Sequence, residues 1–290
     1  MKRSHLSEFV NRGYGRRKMK NFLACGLLGL AAFVALFSLG GVFGYVLYKG
    51  VPALTLSFFT QLPKPVGETG GGMANALLGT ATLVVMASFI GIPWGVFTGV
   101  YLSEYGRGKL GTAVRFSVDM LSSVPSIVIG LFVYVIIVRP MHQFSALAGS
   151  VALAILMIPT IARNTEELLK LVPVHIREAG LALGIPRWKV TLRIVLRGAM
   201  GGIMTGMMLA IARVAGETAP LLFTALSNRF WQSGITDPIA SLPVQIYTYA
   251  IAPFEDWNNQ AWAGALVLVL FVFSLNLVTR FVLRPATAGP

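Results

Sequence analysis

The chain has 290 residues, 55% of them hydrophobic and only 12% charged, with a mean hydropathy of +0.72. No water-soluble core requires so large an apolar fraction, which excludes a soluble globular domain and leaves a polytopic membrane protein. The formal charge of +13 would suit a nucleic-acid binder, but the basic residues are distributed as membrane topology dictates, and that excludes the nucleic-acid reading.

In chain order, residues 1–20 form a basic segment with seven Lys or Arg. Six apolar runs follow, each long enough to cross ~30 Å of hydrocarbon as a helix: 21–48, 75–102, 116–138, 144–161, 198–226 and 261–282. The first run, with its outer loop, fills 21–69. It is too long for a signal peptide and lacks a small-x-small cleavage site, so it stays as a span. Cys25 precedes most of that run and reads as an ordinary membrane cysteine. With one cysteine and three scattered histidines (His5, His142, His175), neither a disulfide framework nor a metal cluster can be assembled. A larger unit occupies 70–284, and 285–290 form a tail. If the N-terminus lies inside, 19 of the 24 basic residues fall on inner segments, which places both termini in the cytoplasm.

The inner loop at about 163–197 is the least ordinary polar segment. Pro173 opens a helix with Ile176, Ala179 and Leu183 on one face, Gly184 stops it, and a second helix starts at Pro186. That second helix carries Arg187, Lys189, Arg193 and Arg197 among Trp188, Leu192 and Val195, as befits an anionic membrane surface. Glu178, Ala179, Gly180, then Gly184, then Ile194 and Leu196 resemble in spacing the EAA motif of ABC-importer permeases. Gly180 stands where that motif usually has Ala, and Arg197 where it has Pro. The resemblance implies an all-α, MetI-like permease of six transmembrane helices whose loop docks in a groove on a separate ATPase subunit. The chain has no phosphate-binding loop of its own: its Gly108–Lys109 pair is followed by Leu110 and has Ser103 where the first glycine belongs.

The stretches "ARVAGETAPLLFTALSNRFW", "GGGMANALLGT" and "SSVPSIVIGLF" resemble the PstA-type permease of bacterial phosphate-specific importers, from about Gly70 to the last span. The resemblance implies four partners: a homologous PstC-type permease, a PstB-type ATPase dimer, an extracytoplasmic PstS-type phosphate-binding protein and membrane lipid. It also implies that ATP and Mg are bound by the ATPase subunits, that this chain holds no cofactor or metal, and that it catalyses no covalent chemistry. A permease for another oxyanion, an ATP-independent phosphate carrier and a lipid-head-group enzyme are the alternatives.

Within the fifth run, Arg213 falls near the bilayer centre, where a charge costs ~2.5–3.5 kcal/mol even on the lenient insertion scale. Helical periodicity puts Arg213 and Glu217 on the side that presents Gly198, Gly202 and Gly206, a small-residue series that admits a close neighbour. Two readings stand. Either Arg213 and Glu217 form a structural i,i+4 pair, or their face lines a translocation path in which the Arg213 fork takes two phosphate oxygens while Glu217 competes with the anion and speeds its release. Arg163, at the inner end of the fourth run, either obeys the charge rule alone or helps pass the anion inward. Asp119 is expected to snorkel or to pair with Arg115. Pro93, Pro125, Pro159 and Pro220 are candidate bends. The outer segment 227–260, with Trp231, Tyr247, Tyr249 and Trp257, anchors at the headgroups or docks the binding protein.

Overall fold

The computed structural model describes residues 3–282 except Thr69, with side chains from Tyr14 to Leu277. The tail expected at 285–290 lies outside the described residues. All regular structure among the described residues is helical. Five helices are long and apolar enough to cross a membrane, and a bent pair makes a sixth. The chain divides into two units, 1–49 and 50–290. The first belongs to one long helix, α1 (Arg3–Ala53). It is apolar all round from Phe22 to Tyr48, the mark of a helix surrounded by lipid or by other membrane helices. Cys25 is exposed on it.

In the second unit a short helix, α2 (Leu56–Thr60), precedes α3, which runs Ala74–Val100 and ends in a π-turn, Tyr101–Tyr105. Then come α4 (Lys109–Ser123), α5 (Ser126–Met141, with a π-turn inside) and α6 (Ala146–Leu171). The loop helix is α7 (Val174–Ala182). Beyond it α8 covers Arg187–Ala215, followed by α9 (Ala219–Thr224), α10 (Leu242–Ala250) and α11 (Glu255–Val282).

The centre of the unit is the parallel pair α3 and α6. A methyl placed on Gly91 would lie 3.1 Å from Met157 Cβ, on Gly95 2.7 Å from Ile161 Cβ, and on Gly99 2.5 Å from Thr165 Cβ. Only glycine permits backbones this close, so this G-x-x-x-G-x-x-x-G series, rather than the one in α8, brings two helix backbones together. The α8 series meets side chains rather than backbone. Gly202 meets the flexible end of Leu168, Gly206 meets the Asn164 side chain, and Gly198 has nothing within 4 Å. Gly198→Ala is therefore expected to leave the amount of subunit in membranes unchanged, checked by immunoblot of isolated membranes.

Two expected spans are broken rather than continuous. Between α4 and α5 the chain turns by 104°. Pro125 lacks an N–H, clashes with the carbonyl four residues back, and holds Val124 extended at φ −70°, ψ 130°. The fifth run also fails to form one helix over 198–226: α8 begins eleven residues earlier, at Arg187, and ends at Ala215. Pro220 is incompatible with a helix through Gly216 and instead opens α9. Pro93 and Pro159, by contrast, lie inside unbroken helices.

The outer segment contains a helix with no strong sequence signal. α10 buries Leu242, Val244 and Tyr249 against α3 and α11, and Thr80 Oγ1 accepts from Leu242 N at 2.7 Å. Tyr249 stacks on Trp257 at 4.4 Å, with Arg229 over the same indole at 5.6 Å. Trp257 is thus packed within the protein, while Phe230 and Trp231 stay exposed.

Candidate functional site

Contacts fix the height of the α8–α9 break. Gly202 lies against Leu168, Gly206 against Asn164, and Gly149 against Leu221 and Ala225. These points share one antiparallel register, so α8, the break and α9 together run the length of α6. At 1.5 Å per residue the register sets Arg213 level with Met157, near the middle of the 26-residue α6. Arg213 therefore stands level with the middle of α6, although the continuous helix assumed for the fifth run is interrupted after Ala215. A second contact brings the other break to the same height. A methyl on Gly130 would lie 2.7 Å from Pro220 Cα, so the N-terminal turn of α5 stands beside residues 216–218.

Arg213 occupies the last turn of α8, where the helix dipole favours a cation. Its backbone oxygen accepts from Gly216 N at 3.2 Å. Its side chain is 60% exposed and that of Glu217 19%, and Arg213 Nε stands 3.9 Å from Glu217 Oε1. That separation is an ion pair too long to be a hydrogen bond. Among the described residues the Arg213 guanidinium donates no hydrogen bond, so its fork is uncommitted. Glu217 now sits in the break itself, no longer on a helical face shared with Gly206.

Arg163 lies six residues further along α6, about 9 Å from the level of Arg213 toward the end of the bundle that carries α7. It pairs with Glu167 at 3.0 Å and with Asp119 of α4 at 3.3 Å. Asp119 thus finds Arg163 and not Arg115. Arg115 is drawn instead to Glu166, 1% exposed, which accepts hydrogen bonds from Arg115 Nε at 2.9 Å and Lys170 Nζ at 2.6 Å. A carboxylate this deeply buried requires cations around it. Sequence reasoning missed Glu166, although the acidic pair "EE" beside Arg163 and Lys170 in an apolar run was a visible cue.

The loop folds as its spacing predicts. Pro173 caps α7, Pro186 caps α8, and Gly184 adopts φ +73° between them. Ile185 N donates to Gly180 O at 3.3 Å and Gly184 N to Leu181 O at 2.9 Å, the paired bonds of a Schellman stop. Gly184→Ala is expected to cost about 1 kcal/mol in the left-handed region and to lower the melting temperature of the detergent-purified subunit. Gly180 is buried, and a methyl there would lie 3.0 Å from Val190 Cγ2, so glycine suits the close contact of α7 with α8. Glu178 and Ala179 are exposed, as is Leu183 at 80%. Of the apolar face read from the sequence, Ala179 and Leu183 point away from the subunit, while Ile176 is half-buried. Behind α7 lies a charged cleft of about 430 Å³ lined by Glu104, Arg107, Lys170, Arg177, Glu178 and Arg187, among others.

An all-helical body with interrupted apolar spans, an exposed two-helix loop and a cation with free donors level with the middle of α6 fits a transporter subunit of the permease class. Residues 91–285 match the family model of the binding-protein-dependent transport system inner membrane component. The chain belongs to that family, and within it to the group of the phosphate transport system permease proteins PstA. It is 47% identical to that protein of Yersinia pestis over 92% of this chain and 90% of the relative. Against that of Haemophilus influenzae it is 49% identical, over 91% of this chain and 94% of the relative. Among solved structures, a chain of the MetNI methionine ABC transporter in an inward-facing conformation aligns with a TM-score of 0.63 at 20% identity, covering 74% of this chain and 97% of that one. At that identity the likeness is one of fold.

Proposed function

We propose that this chain is one permease half of an ATP-driven importer of inorganic phosphate in the bacterial inner membrane, with both termini cytoplasmic. A PstC-type permease would complete the path, a PstB-type ATPase dimer carrying ATP and Mg would dock on α7, and a PstS-type binding protein would deliver phosphate from outside. The similarity to PstA permeases over nine-tenths of the chain points to phosphate. The observation that carries the path is the uncommitted Arg213 fork beside two broken spans at mid-height. Broken spans leave end-of-helix peptide groups that only water, protein or a ligand can satisfy. Half-helix termini near the midplane are where membrane transporters hold small ions.

In this reading Arg213 takes two phosphate oxygens by charge-assisted bonds, and Glu217 competes for the guanidinium, so the anion is released rather than trapped. Arg163, shared by two carboxylates, forms a station of net negative charge that passes the anion on without holding it. Glu178, Ala179, Gly180 and Gly184 form the ATPase contact. Reconstitution of the whole importer tests the reading: labelled phosphate must accumulate in vesicles only with ATP and binding protein. Uptake by this chain alone would make it a carrier, and uptake of a different oxyanion would reassign the substrate.

Glu217 also accepts the proton of hydrogen phosphate, which sulfate lacks. Glu217→Gln is expected to narrow the preference for phosphate over sulfate in competition uptake. An unchanged preference refutes that role.

A further inference from the structure

The charged cleft behind α7 contains a device that the path and the ATPase contact leave unexplained. Glu104 sits in the π-turn that ends α3 and is only 6% exposed. Arg177, on the exposed helix α7, reaches it from 73 residues away: Nη2 donates to Glu104 Oε1 at 2.7 Å, and Nε donates to Oε1 at 3.1 Å and Oε2 at 3.3 Å. The same guanidinium donates to Val172 O at 2.5 Å and Leu169 O at 2.7 Å, the last carbonyls of α6. Arg187, the first residue of α8, donates to Glu104 O and lies 5.0 Å over the Tyr105 ring. Both arms of the loop therefore grip the end of α3, to which no short chain segment joins them.

The chain joins α7 to α6 through Val172 and Pro173 and to α8 through residues 183–186, and these short joints alone leave its tilt against α3 unset. Its apolar packing is on the start of α8, where Gly180 meets Val190 and Ile194. Among the described residues, Arg177 supplies the side-chain hydrogen bonds that α7 makes with the rest of the protein. The α3–α6 pair beyond the clamp is locked by glycine contact and moves as one body. A push on α7 reaches that body as a rotation only if α7 cannot swivel about Pro173. A buried, multidentate Arg–carboxylate clamp that also caps a helix end prevents the swivel.

We infer that Arg177 and Glu104 are the positioning residues that transmit movement of the ATPase-facing helix to the α3–α6 pair and so set how much ATP is spent per phosphate moved. The inference rests on the importer reading above. The test is the complete reconstituted importer, with ATP hydrolysis and labelled phosphate uptake measured in the same vesicles. Wild-type vesicles report on the importer reading itself, because failure to take up phosphate there sinks that reading and not this one.

In vesicles with equal subunit content, Arg177→Glu and Glu104→Arg are each expected to raise the ATP-to-phosphate ratio about tenfold or more, with ATPase activity retained. The double reversal, Glu104→Arg with Arg177→Glu, is expected to recover most of the ratio. Glu104→Gln, which keeps hydrogen bonding but loses charge, is expected to fall between wild type and the reversals, and it serves where a reversal does not assemble. A merely structural clamp would lower uptake and hydrolysis together as the complex falls apart. An unchanged ratio in Glu104→Gln and in every assembled reversal, or a double reversal no better than the single ones, overturns the inference.

Discussion

Uptake of labelled phosphate by cells whose importer carries Arg213→Gln is expected to fall roughly tenfold to a hundredfold, with the subunit present in membranes at its normal level. Each hydrogen bond to a charged group contributes about 1.5–3 kcal/mol, and about 1.4 kcal/mol is a factor of ten in rate or affinity. The change removes the charge and the two-pronged fork together. Folding should not suffer, because Arg213 donates no hydrogen bond among the described residues and stands 3.9 Å from its one carboxylate neighbour. Arg213→Lys, which keeps the charge and loses the fork, is expected to be intermediate. Full transport with Gln at 213 would show that the pair with Glu217 is structural, and the path would have to be sought elsewhere.

The second large effect is expected at the α3–α6 seam. Gly99→Leu should abolish both the subunit and its transport. A β-carbon there meets Thr165 Cβ at 2.5 Å and the Ala162 carbonyl oxygen at 2.6 Å, and the latter is helix backbone that cannot rotate away. Overpacking costs about 1–3 kcal/mol where side chains can yield and more where they cannot, against a total stability of only about 5–15 kcal/mol. Immunoblotting of membranes should show the chain missing, whereas Gly198→Ala, at a position facing open space, should show it at full level. Normal accumulation of Gly99→Leu would mean that the two helices are able to separate, and the rigid-body role given to them would fail.

What the sequence made legible follows from how local each determinant is. The two-helix loop was readable to the residue because Pro173, Gly184 and Pro186 act on their own backbone, and α7, the stop and α8 begin and end where they direct. The breaks were half readable. Pro93, Pro125, Pro159 and Pro220 look alike in a sequence, yet α3 and α6 absorb theirs, while Val124–Pro125 and the stretch from Gly216 to Pro220 interrupt the helix. Which prolines break a span depends on packing from neighbours that one sequence does not display. Arg213 was found because a cation in an apolar run is anomalous by itself. Glu104, Arg177 and Glu166 were missed because their meaning lies in partners 73 and 51 residues away. The glycine series in α8 drew attention while the one in α3 did not, since spacing alone does not say which stripe meets a neighbouring backbone.

The interrupted spans also bear on how the subunit is made. A helix that stops halfway presents bare peptide groups to hydrocarbon, which tolerates them poorly. Here α5 covers one side of the α8–α9 break, with Gly130 against Pro220, and the remaining side calls for water or a companion. A copy made without a companion subunit is accordingly expected to be short-lived, which a pulse-chase of the membrane-bound chain would show.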